Sequence, residues 1–339
     1  MTMTRRLVLV GGIAVTALNA VPRLALGSMS LEPVTWQGQA LGAPANIILY
    51  HSDRNKAERL IRSSVNEAAR LEDIFSLYRQ DSELSRLNRA GALASPSQEF
   101  VELLGICREC WQQSGGLFDP TVQPLWDCLR KHFSQPKPNP AGPTHDDWDK
   151  ALTKVGFDHV RFDNNRIAFT KPTMALTLNG IAQGYITDRI TALLKAGGVK
   201  HALIDMGEYR VIGHQPDGKP WQITISQLEV GSKAEASISI ADQGLATSSF
   251  SGFQFENSGK FNHLLNPKTG YSASLYQYLT VVSDDAARAD AWATAFNLME
   301  RPEIEVILRN LPNTWVFARR RNGEYCTLNV PNASSITFL

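Results

Sequence analysis

One carboxylate and one hydroxyl stand four residues apart in ARADAWATAF, an alanine-rich segment at residues 287–296. In a helix that begins near Asp284, Asp290 and Thr294 lie one turn apart on the same face. The surrounding alanines are the smallest helix formers, so another backbone or a ligand can approach that face closely. Hard cations such as Mg²⁺ prefer carboxylate, hydroxyl and carbonyl oxygens. The segment therefore offers two oxygen ligands to a cation on a helix built for burial.

A purely structural role for Asp290 stays open from the residues alone. No Lys or Arg follows it by three or four residues, so a helical ion pair on that side is excluded. A remote arginine or a loop hydrogen bond would also offset the cost of burying the carboxylate. One acid and one threonine are too few ligands to specify a metal.

A second group of residues lies in LTLNGIAQGY, residues 176–185, where a predicted strand ends and a helix begins near Ile181. The Asn179-Gly180 pair forms a tight connection between them. The amides of a helix N-terminus attract phosphate, and the exposed carbonyl of a glycine can face a cation. The spacing matches neither GxGxxG nor a P-loop, so the segment does not identify a ligand by itself.

Two single polar residues stand beside turns. His263 ends an alternating run in FNHLLNPKTGY, ahead of a Pro-Lys-Thr-Gly turn, where it is a candidate acid or base. Asp119 in GGLFDPTVQPLW follows a Gly-Gly break, where an exposed loop acid can bind a ribose or an amide. A structural histidine and a simple Asp-Pro turn are the alternatives.

Composition excludes some classes of function. The chain has 339 residues, with 34 Lys and Arg against 33 Asp and Glu, and the net charge of +1 provides no basic face for nucleic acid. The length allows one large or two modest domains, at roughly 100–200 residues each.

The N-terminal residues 1–27 have the pattern of a twin-arginine-type signal peptide. Arg5 and Arg6 precede an apolar run, and Ala25-Leu26-Gly27 forms a small-residue cleavage site. Asn19, Pro22 and Arg23 interrupt the run, which disfavours a membrane anchor of ~20 apolar residues. No cysteine lies near the cleavage site, so a lipoprotein is not expected. The pattern predicts export to the periplasm.

The four cysteines do not form a recognisable redox or metal motif. Cys107 and Cys110, in CREC, fall on the apolar stripe of a predicted helix in residues 97–116, where a thioredoxin-like pair would open a helix after a strand. Burial on a helix face is the simpler interpretation.

Hydrophobic periodicity predicts one large α+β unit of mixed sheets with packed helices, at residues 28–339, rather than a doubly wound fold. Residues 34–51 predict two strands, 53–77 a long helix, and the proline-rich 135–147 a surface loop. The next residues predict a hairpin in 159–169, a strand in 174–180, a helix in 181–198 and a strand in 201–207. The C-terminal part predicts a hairpin in 253–265, a strand in 278–283, a helix capped by Ser283, Asp284 or Asp285, and a closing hairpin in 314–330.

Five ordered motifs together resemble the ApbE family, the FAD:protein FMN transferases: SLYRQDSELSRLN, GLFDPTVQPLW, LNGIAQGY, HLLNPKTGY and ARADAWATAF. The resemblance covers the chain from about residue 34 to the C-terminus. It implies an ApbE-like, T-fold-related α+β fold with a central FAD cleft. It also implies a reaction in which Mg²⁺ assists cleavage of FAD, FMN is joined to a Ser or Thr of a target flavoprotein, and AMP is released.

The resemblance assigns roles by position. Asp290 and Thr294 are the implied side-chain ligands of Mg²⁺, and Gly180 contributes its backbone carbonyl. His263 is the implied catalytic residue, for proton handling or phosphate contact. The implied FAD-binding residues are Leu41, Tyr78, Leu117, Phe118, Asp119, Thr177, Gln183 and Leu265.

Four positions depart from the family pattern and bear on FAD affinity and rate. Thr177 stands where many members carry Asp, Gln183 where Lys or Glu is usual, Glu208 at the second glycine of a DxGG turn, and Asn266 where HxxDPxTG has Asp. These departures keep a non-catalytic flavin-binding carrier as an alternative, and a Mg²⁺-dependent FAD pyrophosphatase, a neighbouring kind of enzyme, is a second one. LNGIAQGY and the twin-arginine pattern resemble a NosX-like branch, whose target is a membrane-bound electron-transfer protein of nitrous oxide reductase maturation.

Overall fold

A computed structural model describes residues 31–226 and 234–339, so the expected signal peptide lies outside the described residues. The helices are α1 (Arg54–Phe75), α2 (Glu83–Ala90), α3 (Gln98–Gln113), α4 (Gln123–Phe133), α5 (His145–Leu152), α6 (Ala182–Ala196), α7 (Ala286–Phe296) and α8 (Arg301–Leu308). The strands are β1 (Pro33–Ala40), β2 (Ala43–Tyr50), β3 (Ala92–Ala94), β4 (Val160–Phe162), β5 (Arg166–Phe169), β6 (His201–Asp205), β7 (Tyr209–Ile212), β8 (Trp221–Ser226), β9 (Ala234–Ile240), β10 (Gly244–Ser249), β11 (Tyr276–Ser283), β12 (Trp315–Arg320), β13 (Tyr325–Leu328) and β14 (Ile336–Phe338). Among the described helices, none has both the length and the apolar character needed to cross a bilayer.

An eight-stranded sheet organises the molecule, in the order β1-β2-β6-β7-β10-β11-β12-β13. Its neighbouring strands pair antiparallel, as do those of two three-stranded sheets, β14-β9-β8 and β3-β5-β4. Antiparallel pairing confirms the expected α+β class and excludes the doubly wound alternative, whose sheet is mostly parallel.

Both faces of the large sheet are covered. Leu279 and Val281 of β11 pack into the core shared with α1, α6 and α7, whereas Tyr278 and Val282 point into a second core formed with β8 and β9. Side chains alternate between the faces of a strand, so a strand covered on both sides is apolar at nearly every position. This explains why YLTVVS contains no charged residue and is buried at every position.

The helix that carries Asp290 is buried between α6 and the sheet. Asp285 is its N-cap and accepts from the backbone N–H of Arg288 at 2.7 Å, which selects one of the three expected caps. Asp188 of α6 accepts from Ala286 N at 3.0 Å and from Ala287 N at 2.9 Å. A Cβ on Gly184 would collide with the Ala286 carbonyl, so α6 and α7 approach closely only because residue 184 is glycine.

Several local expectations are corrected. Residues 174–180 form no strand, because the side-chain amide of Asn88 pairs with Leu176 N at 2.7 Å and Leu176 O at 2.8 Å where a strand neighbour would. The segment 253–265 is an irregular hairpin with one bridge, between Gln254 and Asn262, instead of two regular strands. The loop expected at 135–147 ends earlier, because Thr144 caps α5.

Candidate active site

A cleft with a cavity volume of about 130 Å³, partly open to solvent, lies between α7, the segment before α6, the loop before α4 and the segment 253–265. It is lined by every sequence-predicted site residue except Leu41: Tyr78, Leu117, Phe118, Asp119, Thr177, Gly180, Gln183, His263, Leu265, Asp290 and Thr294. A broader and more open depression, over Arg108 and Phe162, contains none of them. The cleft is therefore the candidate site.

Two of the three implied metal ligands, Gly180 and Thr294, lie side by side at one corner of this cleft, and the third, Asp290, lines the same cleft. A Cβ on Gly180 would lie 2.7 Å from Thr294 Oγ1, so the backbone of residue 180 lies directly against that hydroxyl. Asp290, one turn earlier on α7, accepts from Gly184 N at 3.3 Å. The fold thus places Thr294 of α7 against the backbone before α6, and Asp290 of α7 against the Gly184 amide within α6.

The Gly184 amide explains why the Gly180 carbonyl is available. In a regular helix that amide would bond to the carbonyl four residues earlier, which is that of Gly180. It donates to Asp290 instead, while the next amide, of Tyr185, bonds normally to Ile181 O at 3.0 Å. No hydrogen bond among the described residues reaches Gly180 O. A cleft-lining carbonyl that no protein group occupies is available to a cation.

The electrostatics of the cleft are acidic. Its lining includes Asp119, Glu208 and Asp290 but no Lys or Arg. Asp290 is 3% exposed, and burial raises its pKa well above the usual range. Burial, together with the charges of Asp290 and Asp205, also raises the pKa of Glu208. A phosphate group entering this corner needs a counter-charge that the protein does not supply.

His263 faces the cleft as a neutral imidazole. Its Nδ1 lies 3.1 Å from the Phe253 carbonyl oxygen. A carbonyl only accepts, so Nδ1 carries the proton and Nε2 is left as an acceptor. Burial lowers the pKa of His263 below its ordinary value. The ring is therefore prepared to take a proton near neutral pH.

Asp119 is not the exposed acid that the sequence suggested. It is 7% exposed, and its Oδ1 accepts from Thr121 N at 2.8 Å and from Thr121 Oγ1 at 2.5 Å. Its Oδ2 accepts from Phe157 N at 3.0 Å. Both oxygens are occupied, so Asp119 holds the Phe118–Pro120 loop in shape while its neighbours Leu117 and Phe118 face the cleft. This structural role matches the Asp-Pro turn that the sequence offered as the alternative for Asp119.

Comparison with known proteins decides the family. The model of the ApbE family matches residues 41–317. The chain belongs to the ApbE family.

Relatives cover nearly the whole chain. A protein of Haemophilus influenzae named FAD:protein FMN transferase is 28% identical over 93% of this chain and 94% of its own length. One of Vibrio cholerae with the same name is 26% identical over 84% and 86%. Among solved structures, flavinyl transferase ApbE of Pseudomonas stutzeri superposes with a TM-score of 0.74 at 23% identity, over 90% of this chain and 98% of its own. The ApbE protein of Thermotoga maritima gives 0.78 at 23% identity, over 88% and 97%.

Aromatic residues line the mouth of the cleft in this ApbE-family chain. Tyr78 is 56% exposed and its hydroxyl bonds with the Asn179 side chain. Leu41 occupies the β1–β2 turn and borders a small pocket beside Tyr78, so it lies next to the cleft rather than in it. Trp126 and Phe253, whose rings are 5.6 Å apart, also line the cleft, and sequence reasoning missed them. Neither residue had a distinctive sequence signal, because single aromatic residues are common in protein cores.

The four departures from the family pattern have different surroundings. Thr177, Gln183 and Glu208 line the cleft. Asn266 does not, because its Oδ1 accepts from Lys268 N at 2.9 Å and Thr269 N at 3.2 Å and so closes the Pro-Lys-Thr-Gly turn. An asparagine performs this turn function as well as an aspartate. Asn266 therefore does not contact the part of the cleft where phosphate is expected to bind.

Proposed function

We propose that this chain is an FAD:protein FMN transferase that uses Mg²⁺, transfers FMN to a Ser or Thr hydroxyl of a target flavoprotein and releases AMP. One observation carries the proposal: Asp290 and Thr294 of α7 line, together with Gly180 from the segment before α6, a cleft that has no basic side chain, and the Gly180 backbone lies against the Thr294 hydroxyl. The names of the relatives, which match over nearly their whole length, support the same activity.

The residues of this corner fit Mg²⁺. The Asp290 carboxylate has no ion-pair partner among the described residues, the Thr294 hydroxyl lies beside Gly180, and the Gly180 carbonyl accepts no hydrogen bond there. Carboxylate, hydroxyl and carbonyl oxygens are the ligands of hard cations. When bound, Mg²⁺ supplies the positive charge that offsets the pyrophosphate of FAD against these acids.

The chain's own residues then provide placement and proton transfer. Tyr78 at the mouth and Leu117, Phe118 and Leu265 inside offer apolar contact area for FAD. The target hydroxyl attacks the FMN phosphorus and gives its proton to His263 Nε2. The bond from that phosphorus to the AMP oxygen breaks, and AMP leaves. In-line transfer of this kind depends mainly on positioning and charge stabilisation.

The test uses the mature chain with FAD, MgCl₂ and a candidate target domain, followed by intact-mass analysis of the target and chromatography for AMP. Wild type adds one FMN mass and releases AMP only with the target present. Asp290→Asn abolishes both, whereas Asp127→Asn, which removes an acid outside the cleft, does not. AMP release without any acceptor would establish a pyrophosphatase, and tightly bound FAD without AMP would establish a carrier.

We also propose that the protein acts in the periplasm on a membrane-bound electron-transfer flavoprotein of the nitrous oxide reductase system. The support is the twin-arginine pattern of residues 1–27 and the LNGIAQGY form of the segment before α6. Cell fractionation with and without Arg5 and Arg6 tests the location. Intact-mass analysis of membrane flavoproteins co-expressed with this chain tests the target, and labelling of a cytoplasmic protein alone would refute the assignment.

A further inference from the structure

A second carboxylate, from the turn between β6 and β7, lines the same cleft as the proposed metal ligands. Glu208 lines the cleft together with Asp290, and its Oε2 accepts from the backbone N–H of Thr247 on β10 at 3.3 Å. This weak hydrogen bond leaves Oε1 without a described partner. The resemblance to the family pattern would place a glycine at this position, and a glycine extends nothing into the cleft.

The two acids are close enough to affect each other and lack compensation by the protein. The charge of Asp290 is the second cause, after burial, of the raised pKa of Glu208. Neither forms an ion pair within residues 31–226 and 234–339, and neither Lys nor Arg lines the cleft. Two interacting like charges in a cleft without basic side chains are unfavourable unless they share a proton or bind a cation.

The oxygens that lack hydrogen-bond partners favour a bound cation over a shared proton. Asp290 is nearly inaccessible yet makes one long hydrogen bond, of 3.3 Å, and the neighbouring Gly180 carbonyl makes none among the described residues. A shared proton would satisfy one carboxylate pair but would leave this carbonyl and the Thr294 hydroxyl unused. A divalent ion takes carboxylate, hydroxyl and carbonyl oxygens alike.

We propose that Glu208 is a second carboxylate ligand of the divalent ion held by Asp290, Thr294 and Gly180, so that this chain binds the ion before FAD arrives. The inference rests on the metal site of the proposed function and extends it to the order of binding. With one carboxylate, such a site depends on phosphate oxygens of the substrate to hold the ion. Two carboxylates raise the ligand charge and thus the affinity of the substrate-free protein.

The test measures Mn²⁺ binding to FAD-free mature protein at pH 8, from the free Mn²⁺ signal in electron paramagnetic resonance. Wild type binds one Mn²⁺, and Glu208→Gln, which preserves size, weakens binding by about 10-fold or more. Asp290→Asn weakens it at least as much. Asp127→Asn is the matched control, since it removes an acid that is bonded to Gln123 and Arg130 outside the cleft, and it leaves Mn²⁺ affinity unchanged.

Binding of Mn²⁺ by Glu208→Gln within twofold of wild type overturns the inference, and so does absence of Mn²⁺ binding by wild type without FAD. Glu208→Gly, which has the family's residue, provides a second variant. For both variants, melting temperature in EDTA verifies folding, and the rise in melting temperature on adding MnCl₂ is expected to be smaller than for wild type. FMN transfer is assayed separately. If Glu208→Gln binds Mn²⁺ as wild type does and still transfers FMN, only this inference is refuted. If wild type binds Mn²⁺ through Glu208 but transfers no FMN, only the proposed reaction is refuted.

Discussion

Gly180 lies so close to Thr294 that a Cβ on residue 180 would sit 2.7 Å from the threonine hydroxyl oxygen. The two residues are far apart in the chain and belong to the segment before α6 and to the last turns of α7. The approach places a bare backbone against a side chain that could serve as a metal ligand, and any larger residue at 180 displaces one of the two.

The first prediction follows from this contact. Gly180→Ala forces Thr294 away, so FMN transfer falls by about 10-fold or more, which is the loss usual when groups that position metal ligands are changed. The fold survives, because residue 180 precedes the helix. Gly105→Ala is the control: it lies in α3, a Cβ there meets nothing within 4 Å, and alanine favours helix. Equal transfer rates for the two variants would contradict the proposed corner.

His263 predicts the pH profile of transfer. A base must be neutral, and burial lowers the pKa of His263 from 6.5, so wild-type kcat stays level above that pH and falls only in more acidic buffer. His263→Gln lowers kcat by about 10²–10⁴-fold, the usual contribution of a positioned base, and leaves FAD affinity unchanged. Single-turnover rates of transfer across pH 5–8 measure the pH profile and the loss caused by His263→Gln. A variant that keeps the acidic limb would show that another group titrates.

Tyr78 predicts a change in FAD affinity. Its exposed ring stands at the mouth of the cleft, so Tyr78→Ala removes an aromatic contact worth about 1 kcal/mol, or roughly fivefold in the Kd for FAD. Tyr271→Ala is the matched control, because that ring is 63% exposed and packs on Trp148 outside the cleft. Quenching of FAD fluorescence gives both constants, and similar losses for the two variants would exclude a specific role for Tyr78.

Asp188 predicts a pH-dependent stability. Burial and the nearby Asp285 raise the pKa of Asp188 from 3.8 to about 6, although Arg210 and the amides of Ala286 and Ala287 oppose the rise. A raised acid pKa means that the folded state binds more protons, so this residue's contribution to stability falls as pH increases from about 4 to about 6.

Unfolding in urea tests this sign. Wild type loses on the order of 2 kcal/mol of stability relative to Asp188→Asn over that pH interval, with little further change above it. The substitution also removes one of the two acceptors that hold the start of α7. A stability difference that is constant from pH 4 to pH 7 would show that Asp188 has an ordinary pKa.

The sequence determined which residues share a helix and which motifs occur in what order, because both depend on local spacing. The placement of Asp290 and Thr294 on one face follows from helical periodicity, and the long α1 and the strand β11 follow from their apolar patterns. The five motifs also sufficed to predict the family.

Only the tertiary structure decided what those residues meet. It brought Gly180 to Thr294, turned the Gly184 amide from Gly180 to Asp290, and used both oxygens of Asp119 within its own loop. It also replaced the expected strand at 174–180 by pairing with an asparagine side chain. These outcomes depend on the packing of α6 against α7 and on hydrogen bonds between segments that are distant in the chain, and neither is encoded in local periodicity.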